Sequence, residues 1–257
     1  MENPVLPWRL RHFCNNLYRS INTGGIKLQD KLIKRQRDHD TPDSKLRQPL
    51  VSILIPTLAR GVHAGRLATL HTLLSEYLPA QTHQNYEAIV YCDGDNDKVE
   101  HMVAALGDER VHVYTSSDSI KSAWGHPQTR LGIDVAQGDY FVRINDDNKP
   151  YADYLATLLR GFSSDTGISY ARVIFKGDAR QAYSCLLKGS FVIPRDRHGV
   201  LENGNIDCLC YMVRMHLARL YRESWGDMYA ADWRFLEAML AAGIKTHFTN
   251  RLIADKY

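Results

Sequence analysis

Two adjacent carboxylates are the clearest chemical feature of this sequence. Asp146 and Asp147 follow the apolar segment 140–144 and are flanked by asparagines. Carboxylate oxygens placed side by side suit a hard divalent cation such as Mg²⁺ or Mn²⁺. The same pair could instead cap a helix that contains the apolar residues from Tyr154 onward. A metal site and a helix cap are therefore the two alternatives that the pair predicts.

The segments that must position these residues alternate between strand and helix patterns. Val51 to Pro56 and Tyr86 to Tyr91 are short apolar runs of the kind found in buried parallel strands. Helical spacing of apolar residues recurs after them, near 99–106 and 127–136. This alternation predicts an α/β fold with a mostly parallel sheet and helices on both faces. Ligands bind beyond the carboxyl ends of such strands, so we expect the segments after these two strands and after Ile144 to face one cleft.

Four sequence motifs, in this order, resemble those of family 2 glycosyltransferases with the GT-A fold. The first two are the opening strand Val51 to Thr57 and the second strand Ala88 to Gly94. An Arg-containing helix then leads into an acidic motif over 129–147, and Ala231-Asp232-Trp233 is similar to the late acidic motif of the family. The resemblance implies a Rossmann-like GT-A domain over residues 49–257.

The resemblance assigns the binding of a nucleotide-diphospho-sugar to five matching positions. Thr57 and Asp93 would hold the nucleoside, and Asp146 would contact the ribose. Asp147 would bind a divalent metal, Mn²⁺ or Mg²⁺, that bridges the two phosphates. Arg130 would add a fixed positive charge near the diphosphate, where a planar guanidinium is well suited. A surface salt bridge is the alternative role for Arg130.

Catalysis is assigned in the same way to Asp232, which would be the general base that deprotonates the acceptor hydroxyl. Because Asp232 stands at the predicted start of a helix, it could also be a plain helix cap. His126 is a possible assistant to Arg130, with an ordinary loop histidine as the alternative. Asp207 is placed near the acceptor side of the site.

These assignments imply a metal-dependent, inverting glycosyltransferase. It would move a sugar from a nucleotide-diphospho-sugar, with a UDP-sugar favoured, to a hydroxyl of a glycan or glycolipid acceptor. Cys92 and Asn145 stand where the family often has Asp, which leaves Asp93 and Asp147 as the acidic residues of those two motifs. The alternative is a catalytically silent GT-A domain that acts as a nucleotide-binding or assembly subunit.

The basic charge of the chain is concentrated before this domain. Residues 1–48 contain ten basic and five acidic side chains, whereas the rest of the chain contains 22 and 24. The slightly acidic remainder excludes a nucleic-acid-binding domain, so no nucleic acid is expected as a partner. Apolar residues at helical spacing predict a basic amphipathic helical arm over 1–48; they are Leu10, Phe13, Leu17 and Ile21. The arm could make peripheral contact with an anionic membrane, or pack on the domain or on a partner chain.

Cysteine usage and the length of apolar runs predict the compartment. The five cysteines have no CxxC spacing, so neither a disulfide framework nor a zinc knuckle is expected. Apolar runs such as 49–58 are far shorter than the ~20 residues of a membrane-spanning helix. Basic residues near the start interrupt any signal peptide. These features predict a cytoplasmic protein, peripheral on the inner face of the membrane if the arm binds lipid.

Overall fold

The computed structural model describes most of the compact unit Pro49–Tyr257. The described residues are 48–58, 65–94, 96–116, 125–176, 191–195, 197–227 and 230–257. The predicted arm lies outside them except for its last residue, so its helices and its role stay predictions. Within the described ranges, no helix is both long enough and apolar enough to cross a membrane.

Nine strands form a single sheet within the described part of the chain, in the order β3-β2-β1-β4-β8-β6-β9-β5, with β7 paired to β6. They are β1 (Val51–Thr57), β2 (Tyr86–Cys92), β3 (Val111–Thr115), β4 (Tyr140–Arg143), β5 (Lys149–Pro150), β6 (Thr166–Phe175), β7 (Phe191–Ile193), β8 (Tyr211–Arg214) and β9 (Lys245–Lys256).

The described helices alternate with the first strands, as the apolar spacing predicts. Short 3₁₀ turns cover Cys208–Cys210 and Arg222–Ser224. The α-helices are α1 (Arg66–Thr72, continued by a π-helical turn over Leu73–Tyr77), α2 (Asp97–Leu106), α3 (His126–Val135), α4 (Tyr154–Leu159), α5 (Met215–Leu220) and α6 (Ala231–Ala241).

The α/β class is confirmed, and the predicted parallel pairing occupies one half of the sheet. Strands β3, β2, β1 and β4 are mutually parallel, with Thr57 opposite Cys92 and Leu54 opposite Arg143. The chain segments that follow β1, β2 and β4 therefore leave the sheet at the same edge. In the other half β8 runs antiparallel to both β4 and β6, so the sheet as a whole is mixed.

The last long strand places the end of the described chain beside β6. Strand β9 runs parallel to β6, and Lys256 lies opposite Phe175 at the far end of that pairing. Since β6 neighbours β8, this register places Lys256 close to the turn that precedes β8.

A buried carboxylate organises the turn between α3 and β4. Glu87 on β2 accepts hydrogen bonds from the Ser52 hydroxyl at 2.5 Å and from the backbone N–H groups of Gln137 and Gly138 at 2.6 and 3.1 Å. Gly138 also donates to the Ser52 hydroxyl at 2.8 Å. These bonds fix the start of β4, and with it the position of the acidic pair that follows this strand.

This turn leaves no room for a side chain at residue 138. A Cβ there would lie 2.7 Å from the backbone nitrogen of Ser52 and 2.8 Å from the carbonyl oxygen of Leu50. We expect Gly138→Ala to lower the free energy of unfolding by about 1–3 kcal/mol, because backbone atoms must shift. Urea denaturation measures the change. Gly65→Ala is the control, since a Cβ at residue 65 meets nothing within 4 Å. Equal stability of the two variants would contradict this account of the turn.

Candidate active site

A cavity of about 480 Å³ opens where β4 ends. Its described lining combines acidic and basic side chains with aromatic ones. The acidic residues are Asp147, Asp207 and Asp232, the basic residues are Arg66, Arg143 and Lys256, and the aromatic residues include His126, Phe175 and Trp233. Oppositely charged groups in one concave site are suited to bind a charged ligand and to move protons.

The acidic pair lies at one side of this cavity. Asp146 is fully buried, and its two oxygens accept hydrogen bonds from the Thr57 hydroxyl and from Arg66 Nη1, both at 2.6 Å. Asp147 is 25% exposed, and Arg66 Nη2 lies 3.5 Å from its Oδ2. Burial raises the pKa of Asp146, whereas the charge of Arg66 opposes that rise. The contact between Thr57 and Asp146 joins two of the predicted nucleotide-binding residues.

The helix-cap alternative for the acidic pair is wrong. Helix α4 begins at Tyr154, and its N-cap residue is Asp153. The carboxylates of Asp146 and Asp147 instead share the guanidinium of Arg66, which shows that this pair holds a positive charge. Hard carboxylate oxygens of this kind fit a divalent metal ion.

Asp232 is the second residue of α6 and lines the cavity with its carboxyl group. Its Oδ1 accepts a hydrogen bond from the backbone N–H of Trp233 at 2.9 Å. Burial and, to a lesser extent, the negative charge of nearby Asp207 together raise the pKa of Asp232 to about 6. A carboxylate with this proton affinity can accept a proton from a hydroxyl better than an ordinary aspartate.

Asp207 and Lys256 form a buried ion pair beside Asp232. Lys256 Nζ donates to Asp207 Oδ2, while Asp207 Oδ1 accepts from the backbone N–H of Leu209 at 3.0 Å. Burial by itself disfavours the charge on Asp207, but Lys256 holds the pKa of this carboxyl below its ordinary value. Asp207 therefore remains an anion, which raises the proton affinity of Asp232.

A second group of side chains is close enough to hold a metal ion. The ligand atoms of Asp207, Cys208 and Asp232 lie within 4.8 Å of one another. However, burial raises the pKa of the Cys208 thiol to about 12, and Lys256 already neutralises Asp207. A cysteine binds a metal only as the thiolate, and a hard ion prefers oxygen ligands. The acidic pair therefore fits Mn²⁺ or Mg²⁺ better than this group does.

His126 is the first residue of α3 and lines the cavity. Its Nδ1 accepts a hydrogen bond from Trp225 Nε1 at 3.0 Å. Burial and, to a lesser extent, the charge of Arg143 together lower the pKa of His126 to about 3. The ring is therefore neutral at physiological pH, and its proton is on Nε2.

None of the four predicted nucleotide-binding residues, Thr57, Asp93, Arg130 and Asp146, is among those that line the described cavity. Arg130 Nη1 contacts Asp227 Oδ1 at 2.6 Å and the carbonyl oxygen of Trp225 at 2.7 Å. Asp93 is buried after β2, and its backbone N–H donates to the carbonyl oxygen of Thr57 at 3.0 Å. Their contacts with a nucleotide stay predictions.

The sequence motifs and the fold can be compared with known proteins. Residues 52–223 match the sequence profile of Glycosyl transferase family 2. The chain belongs to this family.

The curated relatives support this assignment over a shorter segment. An uncharacterized glycosyltransferase of Rickettsia typhi is 34% identical over 103 residues, which are 40% of this chain and 29% of that protein. A corresponding protein of Rickettsia prowazekii is 33% identical over the same length and the same shares. The chain thus spans less than a third of the curated relatives that it matches.

Solved structures of glycosyltransferases share the fold. The mannosyltransferase PcManGT of Pyrobaculum calidifontis, in complex with GDP-Man and Mn²⁺, has a TM-score of 0.58 at 13% identity, over 82% of this chain and 57% of that chain. TarS of S. aureus, in complex with UDP-GlcNAc, has a TM-score of 0.57 at 15% identity, over 80% and 58%. The GT-A fold implied by the motifs is confirmed.

In this family 2 domain, three charged residues of the cavity were missed by the sequence analysis. Arg143 precedes the acidic pair in a buried strand, and a lone charge in an apolar run was a signal that could have found it. Arg66 and Lys256 lie outside the four motifs, and no local pattern marks them. Trp233, which belongs to the late acidic motif, is half-buried and lines the cavity.

The buried ion pair gives a prediction for stability. We expect Lys256→Met to lower the free energy of unfolding by about 3–5 kcal/mol at pH 7, because Asp207 is then a buried charge without its counter-ion. Adding Asp207→Asn should recover part of this loss. Chemical denaturation of the single and double variants measures both changes.

The matched control is Lys245→Met, which removes an exposed lysine that is paired with Asp165 at the surface. This variant should change stability little, because solvent screens the pair. Similar losses for the variants at 245 and 256 would contradict the special role of the buried pair.

Proposed function

We propose that this chain is a metal-dependent, inverting glycosyltransferase that acts on a nucleotide-diphospho-sugar and a hydroxyl acceptor. The observation that carries the proposal is the carboxyl group of Asp232, which opens on the same cavity as Asp147 and has a pKa of about 6. A site that combines a proton acceptor with a cation-binding carboxylate meets the two chemical needs of sugar transfer.

In the proposed reaction Asp232 removes the proton of an acceptor hydroxyl. The hydroxyl oxygen forms a bond to the anomeric carbon while the bond from that carbon to the diphosphate oxygen breaks. The nucleotide diphosphate leaves with the electron pair of that bond, and the sugar is inverted at the anomeric carbon. Asp207 supports this step, because its negative charge, held in place by Lys256, keeps the proton affinity of Asp232 high.

Asp147 would hold the divalent ion, with Thr57 and Asp146 beneath it as a hydrogen-bonded support. The ion supplies charge neutralisation for the diphosphate leaving group. His126 lines the cavity as a neutral ring, so it adds no charge there. Two structural neighbours were solved with GDP-Man and Mn²⁺ and with UDP-GlcNAc, which supports Mn²⁺ and a nucleotide sugar as ligands.

A UDP-sugar donor, together with a glycan or glycolipid acceptor, remains our working assignment. Polysaccharide biosynthesis at the inner face of a membrane would give the basic residues of the arm a role, since an anionic lipid surface attracts them.

A catalytically silent nucleotide-binding or assembly subunit is the second candidate. Cys92 and Asn145 favour it, because they replace acidic residues that the family often has. The guanidinium of Arg66 on the acidic pair also favours it, since a resident cation reduces the need for a metal. The two candidates differ in turnover rather than in nucleotide binding.

The metal assignment predicts the effect of Asp147→Ala on nucleotide binding. A panel of nucleotide diphosphates and nucleotide sugars is screened by thermal stabilisation, with and without Mn²⁺. A ligand at 100 times its dissociation constant adds ~2.7 kcal/mol of stability, which such a screen detects. We expect the Mn²⁺-dependent part of the stabilisation to disappear in this variant.

Asp165→Ala is the control for this screen, because it removes an exposed carboxylate that does not line the cavity. Its stabilisation by nucleotide and Mn²⁺ should equal that of the wild type. Unchanged metal dependence in Asp147→Ala would place the ion elsewhere.

The base assignment predicts the effect of Asp232→Asn on transfer. The amide oxygen can still accept from the Trp233 N–H, but the group can no longer take a proton. Transfer should fall by about 10²–10⁴-fold, while nucleotide affinity changes little. Release of nucleotide diphosphate is followed with a panel of acceptors, and calorimetry measures the affinity.

The pH profile gives a second readout for Asp232. Because the base must be ionised, wild-type activity should decline as the pH falls through about 6. Residual activity of Asp232→Asn should lack this acidic limb. Full activity of the variant would remove Asp232 from the mechanism. Tight nucleotide binding without turnover on any acceptor would favour the silent subunit.

A further inference from the structure

Arg66 lies at the mouth of the cavity and bridges the acidic pair. Its Nη1 is 2.6 Å from Asp146 Oδ1, and its Nη2 is 3.5 Å from Asp147 Oδ2. The residue begins helix α1 and is outside the motifs that mark the family. Its position on the two carboxylates is the position that a metal ion would need.

We propose that Arg66 is the internal counter-ion of the acidic pair, and that a divalent metal ion and this guanidinium compete for the pair. The inference rests on the proposed function, because it takes Asp147 as the metal ligand. Arg66 would then control when the divalent ion binds to the pair.

When both carboxylates of the pair are ionised, a cation must offset their charge. Asp146 is fully buried and Asp147 is its immediate neighbour, so two ionised carboxylates here repel each other. Thr57 satisfies one oxygen of Asp146 but brings no charge. Arg66 supplies the missing positive charge through a charge-assisted hydrogen bond to Asp146 and a longer ion-pair contact with Asp147.

A guanidinium and a divalent ion cannot both occupy this position at low cost. Both are cations, and at the separation of neighbouring ligands their repulsion in a partly buried site is large. Asp146 Oδ1 is also taken by Arg66, so a metal can use that oxygen only after the guanidinium has left. Metal binding therefore includes the displacement of Arg66.

Arg66 is well placed to leave. Its side chain is 42% exposed, and it lines the cavity that would hold the donor. An incoming diphosphate is an anion that offers the displaced guanidinium a new bidentate partner. We therefore expect Mn²⁺ to bind weakly alone and more tightly with a nucleotide diphosphate, with Arg66 as a source of this coupling.

The test measures free Mn²⁺ by electron paramagnetic resonance during titration of the full chain, first without and then with UDP. Arg66→Gln removes the charge and keeps a polar side chain, and Arg66→Lys keeps the charge without the two-pronged geometry. We expect Arg66→Gln to bind Mn²⁺ alone at least about tenfold more tightly than the wild type. UDP should strengthen Mn²⁺ binding less in Arg66→Gln than in the wild type, and Arg66→Lys should lie between them.

Adding Asp147→Ala to Arg66→Gln identifies the site of the tightened binding. Loss of the gain in this double variant supports the proposal, and persistence of the gain overturns it, because the ion is then bound elsewhere. Equal or weaker Mn²⁺ binding in Arg66→Gln, with an unfolding curve like that of the wild type, also overturns it. The comparison without UDP does not depend on the donor. If no nucleotide binds to any variant, the proposed function fails, while the Mn²⁺ data still decide the competition.

Discussion

Repulsion between carboxylates that share one cavity is the constraint on which this site depends. Asp146 and Asp147 are neighbours in the chain, and Asp207 lies beside Asp232. Each group would be costly to bury as bare charge. The fold meets this constraint with one basic side chain for each group. Arg66 pairs with Asp146 and Asp147, and Lys256 pairs with Asp207.

The two counter-ions differ in how firmly they are held. Lys256 is buried at the end of β9, and its Nζ lies 4.9 Å from the ring centre of Phe175. Its position is fixed by this packing and by the ion pair with Asp207. Arg66 begins a helix and reaches the acidic pair with a half-exposed side chain. Lys256 therefore sets a permanent electrostatic environment for Asp232, whereas we propose that Arg66 can be exchanged for a metal ion.

The sheet places these groups within one cavity. The parallel half delivers Thr57 and the acidic pair at its carboxyl edge, because β1 and β4 are adjacent and in register. The mixed half delivers Asp207 before β8 and the counter-ion Lys256 at the end of β9. The cavity thus lies where the two halves of the sheet meet, and it is closed on one side by the start of α6. The parallel half alone would supply Thr57 and the acidic pair without Asp207 and its counter-ion Lys256.

Local pattern in the sequence was enough to predict strands β1 and β2, the helices near 99–106 and 127–136, and the acidic pair after the apolar segment 140–144. Strand and helix periods are properties of neighbouring residues, and a run such as Val51–Thr57 has few other ways to bury its side chains. The start of a helix at Asp232 was visible for the same reason. The family motifs then gave these carboxylates chemical roles that spacing alone did not.

Only the tertiary structure decided which cations face those carboxylates. Arg66 contacts Asp146 across 80 residues of sequence, and Lys256 contacts Asp207 across 49. Arg130, which the motifs placed near the diphosphate, is paired with Asp227 in this structure. A basic side chain has no periodic signature, because it can reach solvent from almost any surface position. Its partner is determined by strand order and register, which arise from the packing of the whole sheet.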